Sequence, residues 1–463
     1  MSIERLSRTT LGALIVLTLF TGSSRAQNRE TAPDVQKLLE KIDRLEHRVQ
    51  ELEAGQTALP SERLETRINA VADGTDLAPD NAYSVFWKNT HNFQTDDKNF
   101  GLKFGGRVDL HFIWNTQDKS TENAFGHFDD AVNFRRVRIY VAGHIYKNAI
   151  FKIQLDFEDG IADFKDVYLG LKNILGGGTV RAGQFKIPFS LEELTSSKYI
   201  SFVERAAPNV FAFSRQSGLM YHNTFGEEDR IWFGVSVFRT VDAFGDVTDD
   251  GSYGAAARLT GLPIYEDGGR TLLHVGVAIG YQNPVDDVLR FRQRPETSIG
   301  PRLVDTGTFS AEDDVRVVAE AALVLGSFSA QAEYFHVFVN SNATGDPDFW
   351  GGYVYLTYFL TGEHRKYKKS AGAFSRVSPA ANFHDGGDGS GAWEVGVRYS
   401  YVDLNDEGIN GGELGSLTAG VTWYVNPNMK LMINYTWGNV DDIPGLSGDT
   451  SAHIVTLRFL IDF

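Results

Sequence analysis

The last thirteen residues, Ser451-Ala452-His453-Ile454-Val455-Thr456-Leu457-Arg458-Phe459-Leu460-Ile461-Asp462-Phe463, alternate between two faces and stop on an aromatic ring. His453, Val455, Leu457, Phe459, Ile461 and Phe463 fall on one face, and Ala452, Ile454, Thr456, Arg458, Leu460 and Asp462 on the other. A period of two belongs to a β-strand. A soluble domain gains little by ending on such a strand with a terminal Phe carboxylate. In lipid every backbone N–H and C=O must find a partner, so an alternating chain can cross only as a closed barrel. The last strand of such a barrel must pair with the first. A terminal aromatic is also similar to the signal read by the bacterial barrel-insertion machinery. The pattern therefore predicts an all-β fold, a transmembrane antiparallel β-barrel closed by this strand.

The same period recurs upstream. Leu102, Phe104, Val108, Leu110, Phe112 and Trp114 share a face opposite Lys103, Arg107, Asp109 and His111. Phe151, Ile153, Leu155 and Phe157 oppose Lys152, Gln154, Asp156 and Glu158. Similar runs lie at 134–146, 167–171, 180–187, 231–237, 253–259, 273–281, 315–325, 328–338, 350–360, 393–401, 417–425 and 429–437, with a weaker one near Leu219. With the two ends they make roughly 16 strands, an even number as antiparallel closure requires. Segments of about 10 residues at ~3.4 Å each, tilted near 45°, cover the ~25 Å apolar band of a bilayer. Lys147-Asn148, Gly326-Ser327 and Asn426-Pro427-Asn428 read as tight turns, expected on the periplasmic side. Longer polar stretches at 117–131, 241–251, 340–348, 361–391, 403–415 and 440–450 are expected to be outer loops, one or more of them folding into the pore.

Three segments follow from composition and period: 1–26, 27–79 and 80–463. The first looks like a secretory signal, with Arg5 and Arg8, an apolar run from Leu11 to Phe20 too short to span a bilayer, and Ser24-Arg25-Ala26 before the cleavage point. Its removal takes away three Arg and one Glu and moves the net charge from −16 to −18. With 47 Gly, 32 Phe and 18 Tyr the remainder suits turns, strands and aromatic girdles, and with no Cys it has no disulfide framework. Within 27–79 the period is helical. Val35, Leu38, Ile42, Leu45, Val49 and Leu52 form the a/d seam of a coiled coil ringed by charge, ending near Pro60 and a linker at 74–79. This segment is expected to stand in the periplasm.

The passage of anions requires several positive donors along a lumen, none of them strong enough to trap the ion. Arg290, Arg292 and Arg294, in Leu289-Arg290-Phe291-Arg292-Gln293-Arg294-Pro295, alternate and so share one side. A guanidinium fork matches phosphate oxygens two at a time. Spacing alone is also compatible with the solvated face of a strand or loop.

Several stretches resemble the phosphate-selective porin O/P family. They are Phe134-Arg135-Arg136-Val137-Arg138 with 152–157 after it, Arg181-Ala182-Gly183-Gln184-Phe185-Lys186-Ile187-Pro188-Phe189-Ser190-Leu191-Glu192-Glu193-Leu194 on to Glu204-Arg205, and the blocks at 358–365, 391–404 and 423–427. They occur in family order over about 100–463. The resemblance implies a homotrimeric, 16-stranded outer-membrane channel whose better-known members pass phosphate or pyrophosphate. It implies that Arg290, Arg292 and Arg294 line the pore as a ladder and that Arg135 and Arg136 sit at the constriction. Strict alternation places Arg136 and Arg138 opposite Val137 and Ile139; Arg135 would then face lipid unless a bulge turns it inward. The chain departs from the family at the constriction lysine, where Glu193 stands, and at an acidic position that aligns with Lys165, followed by Asp166. Lys165, Asp166 and Glu193 are thus constriction positions at which phosphate preference is weakened.

The function expected is an outer-membrane porin for small anions, phosphate or polyphosphate among them. A general, weakly selective porin and a barrel-anchored periplasmic tether are the alternatives. An enzymatic barrel would need a nucleophile with a positioned base; Gly-x-Ser-x-Gly and His-Glu-x-x-His are both absent. The expected partners are outer-membrane lipid and lipopolysaccharide, small inorganic anions, the insertion machinery and two further copies of the chain. No cofactor, metal or nucleic acid is expected. β-Branched residues at a with Leu at d favour a dimer of isolated helices. The barrel interface is far larger and the resemblance implies three. Deleting 27–79 should leave channels that insert but assemble less stably, read as a lower dissociation temperature of the oligomer on unheated gels.

Overall fold

A computed structural model of the chain describes His47 and residues 83–463 apart from 249–250, 344, 385–386 and 444–449. Residues 1–80 and 81–463 form separate units. The signal, the coiled-coil seam and the linker expected before residue 80 lie outside the described residues; His47 alone is described there, helical and exposed.

All the expected strands form, and they close. In chain order they are β1 (Gly101–Gln117), β2 (Ala131–Ile145), β3 (Ala149–Asp156), β4 (Asp163–Ile174), β5 (Gly178–Lys186), β6 (Arg215–Phe225), β7 (Ile231–Arg239) and β8 (Tyr253–Glu266). Then come β9 (Thr271–Gln282), β10 (Asp313–Leu325), β11 (Phe328–Asn340), β12 (Asp348–Phe359), β13 (Ala392–Asp406), β14 (Ile409–Asn426), β15 (Met429–Asp441) and β16 (Ser451–Asp462). Each pairs antiparallel with its sequence neighbours, and β16 pairs with β1 from Ala452↔Gln117 to Asp462↔Arg107. Phe463 completes the seam by exchanging backbone hydrogen bonds with Gly106, at 2.8 and 3.0 Å. A Cβ at Gly105 would meet the Phe463 carbonyl at 2.3 Å, so the close approach of the chain's end depends on that glycine. A short hairpin, Tyr83–Trp87 with His91–Thr95, was not foreseen; it pairs with the start of β1.

The faces follow the alternation. On β16 Ala452, Ile454, Thr456, Arg458, Leu460 and Asp462 are buried inside, whereas Val455 and Ile461 are exposed outside. Leu169, Val277, Val354, Val397 and Ile433 are likewise exposed and belong to an apolar outer belt. Trp393 and Trp423 stack near the tight-turn end, and Trp350 and Trp437 lie toward the other, as the two girdles of a membrane barrel do.

Two expectations about connections are corrected. The stretch 361–391 follows β12, which runs down to the tight-turn end, so it lies with the turns and both ends of the barrel chain rather than with the outer loops. It also enters the barrel, where Ala373 and Phe374 pack against Leu191, Leu262 and Leu272. The stretch 403–415 is mostly strand. Glu407 and Gly408, with φ of 46° and 80°, make a two-residue turn whose twist matches the flanking strands.

The residues 187–214 between β5 and β6 fold into the barrel from the opposite end. Phe189, Leu191, Phe202 and Phe211 are fully buried there, and Phe189 and Phe202 meet the rings of Phe335 and Tyr355 on the far wall. One carboxylate of the wall anchors the start of this loop. Glu333 of β11 accepts from the backbone N–H groups of Leu191 and Glu192 at 2.7 and 2.9 Å and from the Ser190 hydroxyl, at the start of a one-turn helix, Leu191–Leu194. Ser190 itself sits at φ 70°, held by these bonds and by its own cap on Glu193 N–H. Glu333→Ala leaves two backbone donors unpaired, at about 1–3 kcal/mol each. The barrel should still fold, with larger single-channel conductance and more open-channel noise in planar bilayers; an unchanged trace would show that Glu333 does not hold the loop.

Candidate functional site: a cationic constriction

The wall from β1 to β6 and the inner loop enclose a cavity of about 1090 Å³. Its lining carries twelve cations, Lys103, Arg107, Arg135, Arg136, Arg138, Lys152, Lys165, Lys186, Lys198, Arg205, Arg215 and Lys368, against four carboxylates, Glu158, Asp166, Glu193 and Asp242. Of the residues expected from sequence, Arg135, Arg136, Arg138, Lys165, Asp166 and Glu193 all reach it.

A bulge brings Arg135 inside. Asp109 pairs with Arg136 and Leu110 with Phe134, so Arg135 is the extra residue and both arginines point inward while Phe134 stays exposed outside. A second irregularity in β4, where Leu155 pairs with Phe164 but Ile153 with Val167, sets Lys165 and Asp166 in the same cavity.

Most of these charges are held in pairs. Arg135 bonds Glu158 and Glu204, both at 2.8 Å; Arg136 meets Asp109 and Glu204 at 3.3 and 3.5 Å; Arg138 bonds Asp156 at 2.6 Å. Asp166 joins Lys152 and Arg215 at 2.5 and 2.6 Å, and Lys165 leans on Asp163 and Asp156. Glu193 is buried between Lys186 and Arg205, each at 3.2 Å. Burial alone would raise its pKa, yet those two cations hold it at about 2, so its charge stays on and is balanced locally. Glu158, in the connection after β3, is pushed the other way: burial raises its pKa in spite of Arg135.

Arg107 escaped assignment from sequence although its inward parity was legible. It is 5% exposed, makes no ion pair among the described residues, and its Nε has no hydrogen-bond partner. Lys186, Lys198, Arg205 and Arg215 were missed because they lie in or beside the inner loop, where no strand period marks the inward side.

The alternating arginines lie on a second inward loop, 283–312. Arg292–Gln293 pairs with Val304–Asp305, and Phe291 is buried between Phe211 and Phe349, at 5.3 and 5.7 Å. The alternation holds in this loop, with Phe291 on the packed side and Arg290, Arg292 and Arg294 on the more open one. Arg290 is clamped by Asp305 at 2.5 and 2.7 Å, and Arg294 donates to the Gly300 carbonyl. Arg292 makes no ion pair among the described residues. Burial, Arg292 and Arg135 together lower the pKa of Arg294, which puts the inner end of this row within the field of the constriction. Arg302 is lowered to about 10 by burial and by Arg294 and Arg292.

Toward the tight-turn end a further cavity of about 810 Å³ is lined by Lys103, Lys172, Arg181 and Lys368, which form no ion pairs among the described residues. Burial, with the charges of Lys103, Arg181 and Lys172, lowers the pKa of Lys368, so the four share one field.

Over residues 103–463 the chain matches the family model described as phosphate-selective porin O and P. Porin O of Pseudomonas aeruginosa is 30% identical over 394 residues, covering 77% of this chain and 86% of that protein. An uncharacterised protein of Caulobacter vibrioides is 28% identical over 365 residues, covering 76% of this chain and 71% of that one. Among solved structures, an anion-selective porin from Comamonas acidovorans superposes with a TM-score of 0.51 at 12% identity, over 79% of this chain and 100% of that one, a likeness of fold. The closed barrel, its cationic lining and a family match running from β1 to the terminal Phe lead to one conclusion: the chain belongs to the phosphate-selective porin O and P family and forms an outer-membrane channel for anions.

Proposed function

We propose that the channel takes up phosphate and related small oxyanions, and the observation that carries this reading is the cationic excess of the constriction cavity. An oxyanion surrenders hydration only where donors replace it, and a string of moderate sites lets it move on. Entry along Arg292 and Arg294 leads to Arg135 and to the unpartnered Arg107. The exit runs past Lys103, Lys172, Arg181 and Lys368. Family membership supports a homotrimer, and the closed outer-membrane barrel supports assembly by the insertion machinery. The segment 27–79 is proposed to stand in the periplasm as a coiled coil.

A second reading, a general porin with weak anion preference, is favoured by the ion pairs. Glu158, Glu204, Asp109 and Asp156 take up the charge of Arg135, Arg136 and Arg138, and Glu193 stands where the resemblance implies a lysine. Two measurements separate the readings.

Charge-assisted contacts are worth roughly 1.5–3 kcal/mol, so losing one weakens binding about ten-fold or more. Replacing Arg292 and Arg294 by Ala should raise the phosphate concentration that half-blocks chloride current by that factor. Arg290→Ala should change it far less, because Asp305 already holds that guanidinium. Equal, negligible effects from all three would leave only the general porin.

Glu158→Gln should leave Arg135 held by Glu204 alone, remove one negative charge from the constriction and raise the anion-to-cation permeability ratio, measured as reversal potential in a potassium chloride gradient. The wild-type channel should reach the same state on acidification. The raised pKa of Glu158 means that it gains its proton, and gives up its charge beside Arg135, at a higher pH than an ordinary glutamate. The variant should lack this step between pH 7 and mildly acidic pH; a step of equal size in both would place the titrating group elsewhere.

A further inference from the structure

On the outside of the barrel, across β10 to β13, lies an open apolar groove of about 710 Å³. Ala321, Ala332 and Gly352 form its floor and Tyr334, Trp350 and Tyr399 its walls. The register makes the hollow: Ala321 stands opposite Ala332, and Gly352 opposite Tyr334, so small side chains on three neighbouring strands meet between rings. These residues alternate with Glu320, Glu333 and Tyr353, which are buried inside, so the groove is separated from the anion path by the barrel wall.

Its surroundings identify the occupant. Val275, Val277 and Val354, on the same outer face, are exposed parts of the apolar belt, so the groove opens into hydrocarbon. Trp350 is two residues from the outer end of β12 at Asp348, while Ala321 and Ala332 stand four residues from the turn ends of β10 and β11, so the groove runs from the outer girdle down to about the middle of the wall. At its outer end Trp350 stands opposite Asp403, and from there a row leads away from the groove along the rim, Asp403 opposite Glu413 and Glu413 opposite Asp441. Three carboxylates side by side on one outward face repel each other and any bare phosphate headgroup at their level. They suit a lipid whose phosphates arrive with divalent cations, and in the outer leaflet that lipid is lipopolysaccharide.

We propose that this groove seats one acyl chain of a lipopolysaccharide molecule, with the Asp403–Glu413–Asp441 row facing the divalent counter-ions of its headgroup. A chain lying in the hollow is held by shape between the rings, while the cation layer fixes the depth at which the lipid rides. Neither contact touches the lumen, so occupancy is independent of ion conduction.

The test uses the full chain purified from outer membranes in mild detergent with magnesium present, examined by native mass spectrometry. Ala321→Phe and Ala332→Leu each fill the floor with a side chain that strands accept. Leu169→Phe, on the belt at β4, is the control. Wild type and the control should retain one lipopolysaccharide per protomer, and chelation of magnesium should reduce it. Each floor variant should lose at least five-fold of that occupancy with unchanged single-channel conductance, which also reports correct folding. Three results would overturn the proposal: equal retention in the floor variants, retention of glycerophospholipid in place of lipopolysaccharide, or a change of subunit number when the floor is filled.

Discussion

Backbone hydrogen bonding in hydrocarbon is the constraint from which the rest of this molecule follows. A donor or acceptor left open in lipid costs several kcal/mol, and the barrel leaves no edge on which one could stand. The seam between β16 and β1 is therefore not a detail of the end of the chain. It is the condition under which the other strands can be in the membrane at all, and it reaches to the last residue, where Phe463 and Gly106 exchange their bonds. The glycine beside that contact, the alternating faces and the even number of strands are all forms of the same requirement.

A closed barrel of this size would be a wide aqueous hole, and the inward segments turn it into a filter. They come from both ends, 187–214 and 283–312 from the long-loop side and 361–391 from the turn side, and they pack on one another and on the wall through buried aromatic rings. The cations they bring together would repel if left free. The structure resolves this by pairing most of them, as at Arg135, Arg136 and Arg138, and leaving a few open, as at Arg107 and Arg292. Pairing holds the side chains in place; the unpaired remainder sets the sign of the field. An anion thus meets a path of fixed donors, none of which has to be reorganised when it arrives.

The strands were legible because one face is lipid and the other lumen, a contrast that writes itself into every second residue. The inward parity of Arg107, Lys152 and Arg136 could be read for the same reason. The resemblance supplied the ladder and the constriction arginines, and alternation even located the need for a bulge at Arg135. What could not be read was the inner loop. Many of its residues are apolar because they pack inside the barrel, and a long loop is recognised in sequence by being polar, so 187–214 carries the mark of neither a strand nor an outer loop. The side on which 361–391 lies was missed for a related reason: it is long and polar as outer loops are, and only the direction of β12 assigns it to the other end. Whether a carboxylate such as Glu193 opposes an anion path or is already balanced depends on contacts with Lys186 and Arg205, which no periodicity encodes.

The seam also has an inner fastening. Asp462, the last inward residue of β16, is gripped by Lys198 of the inner loop at 2.8 Å and by Arg376 of the turn-side segment. Arg458 and Lys430, on the last two strands, donate to the carbonyls of Val203 and Ile200 in that same loop. The seat of a loop made in the middle of the chain is thus built from strands made at its end. The order of assembly follows: the wall must be complete before the filter can settle, and once settled the filter acts as a clasp across the join. The step that closes the lipid-facing seam is thus the same step that completes the seat of the filter.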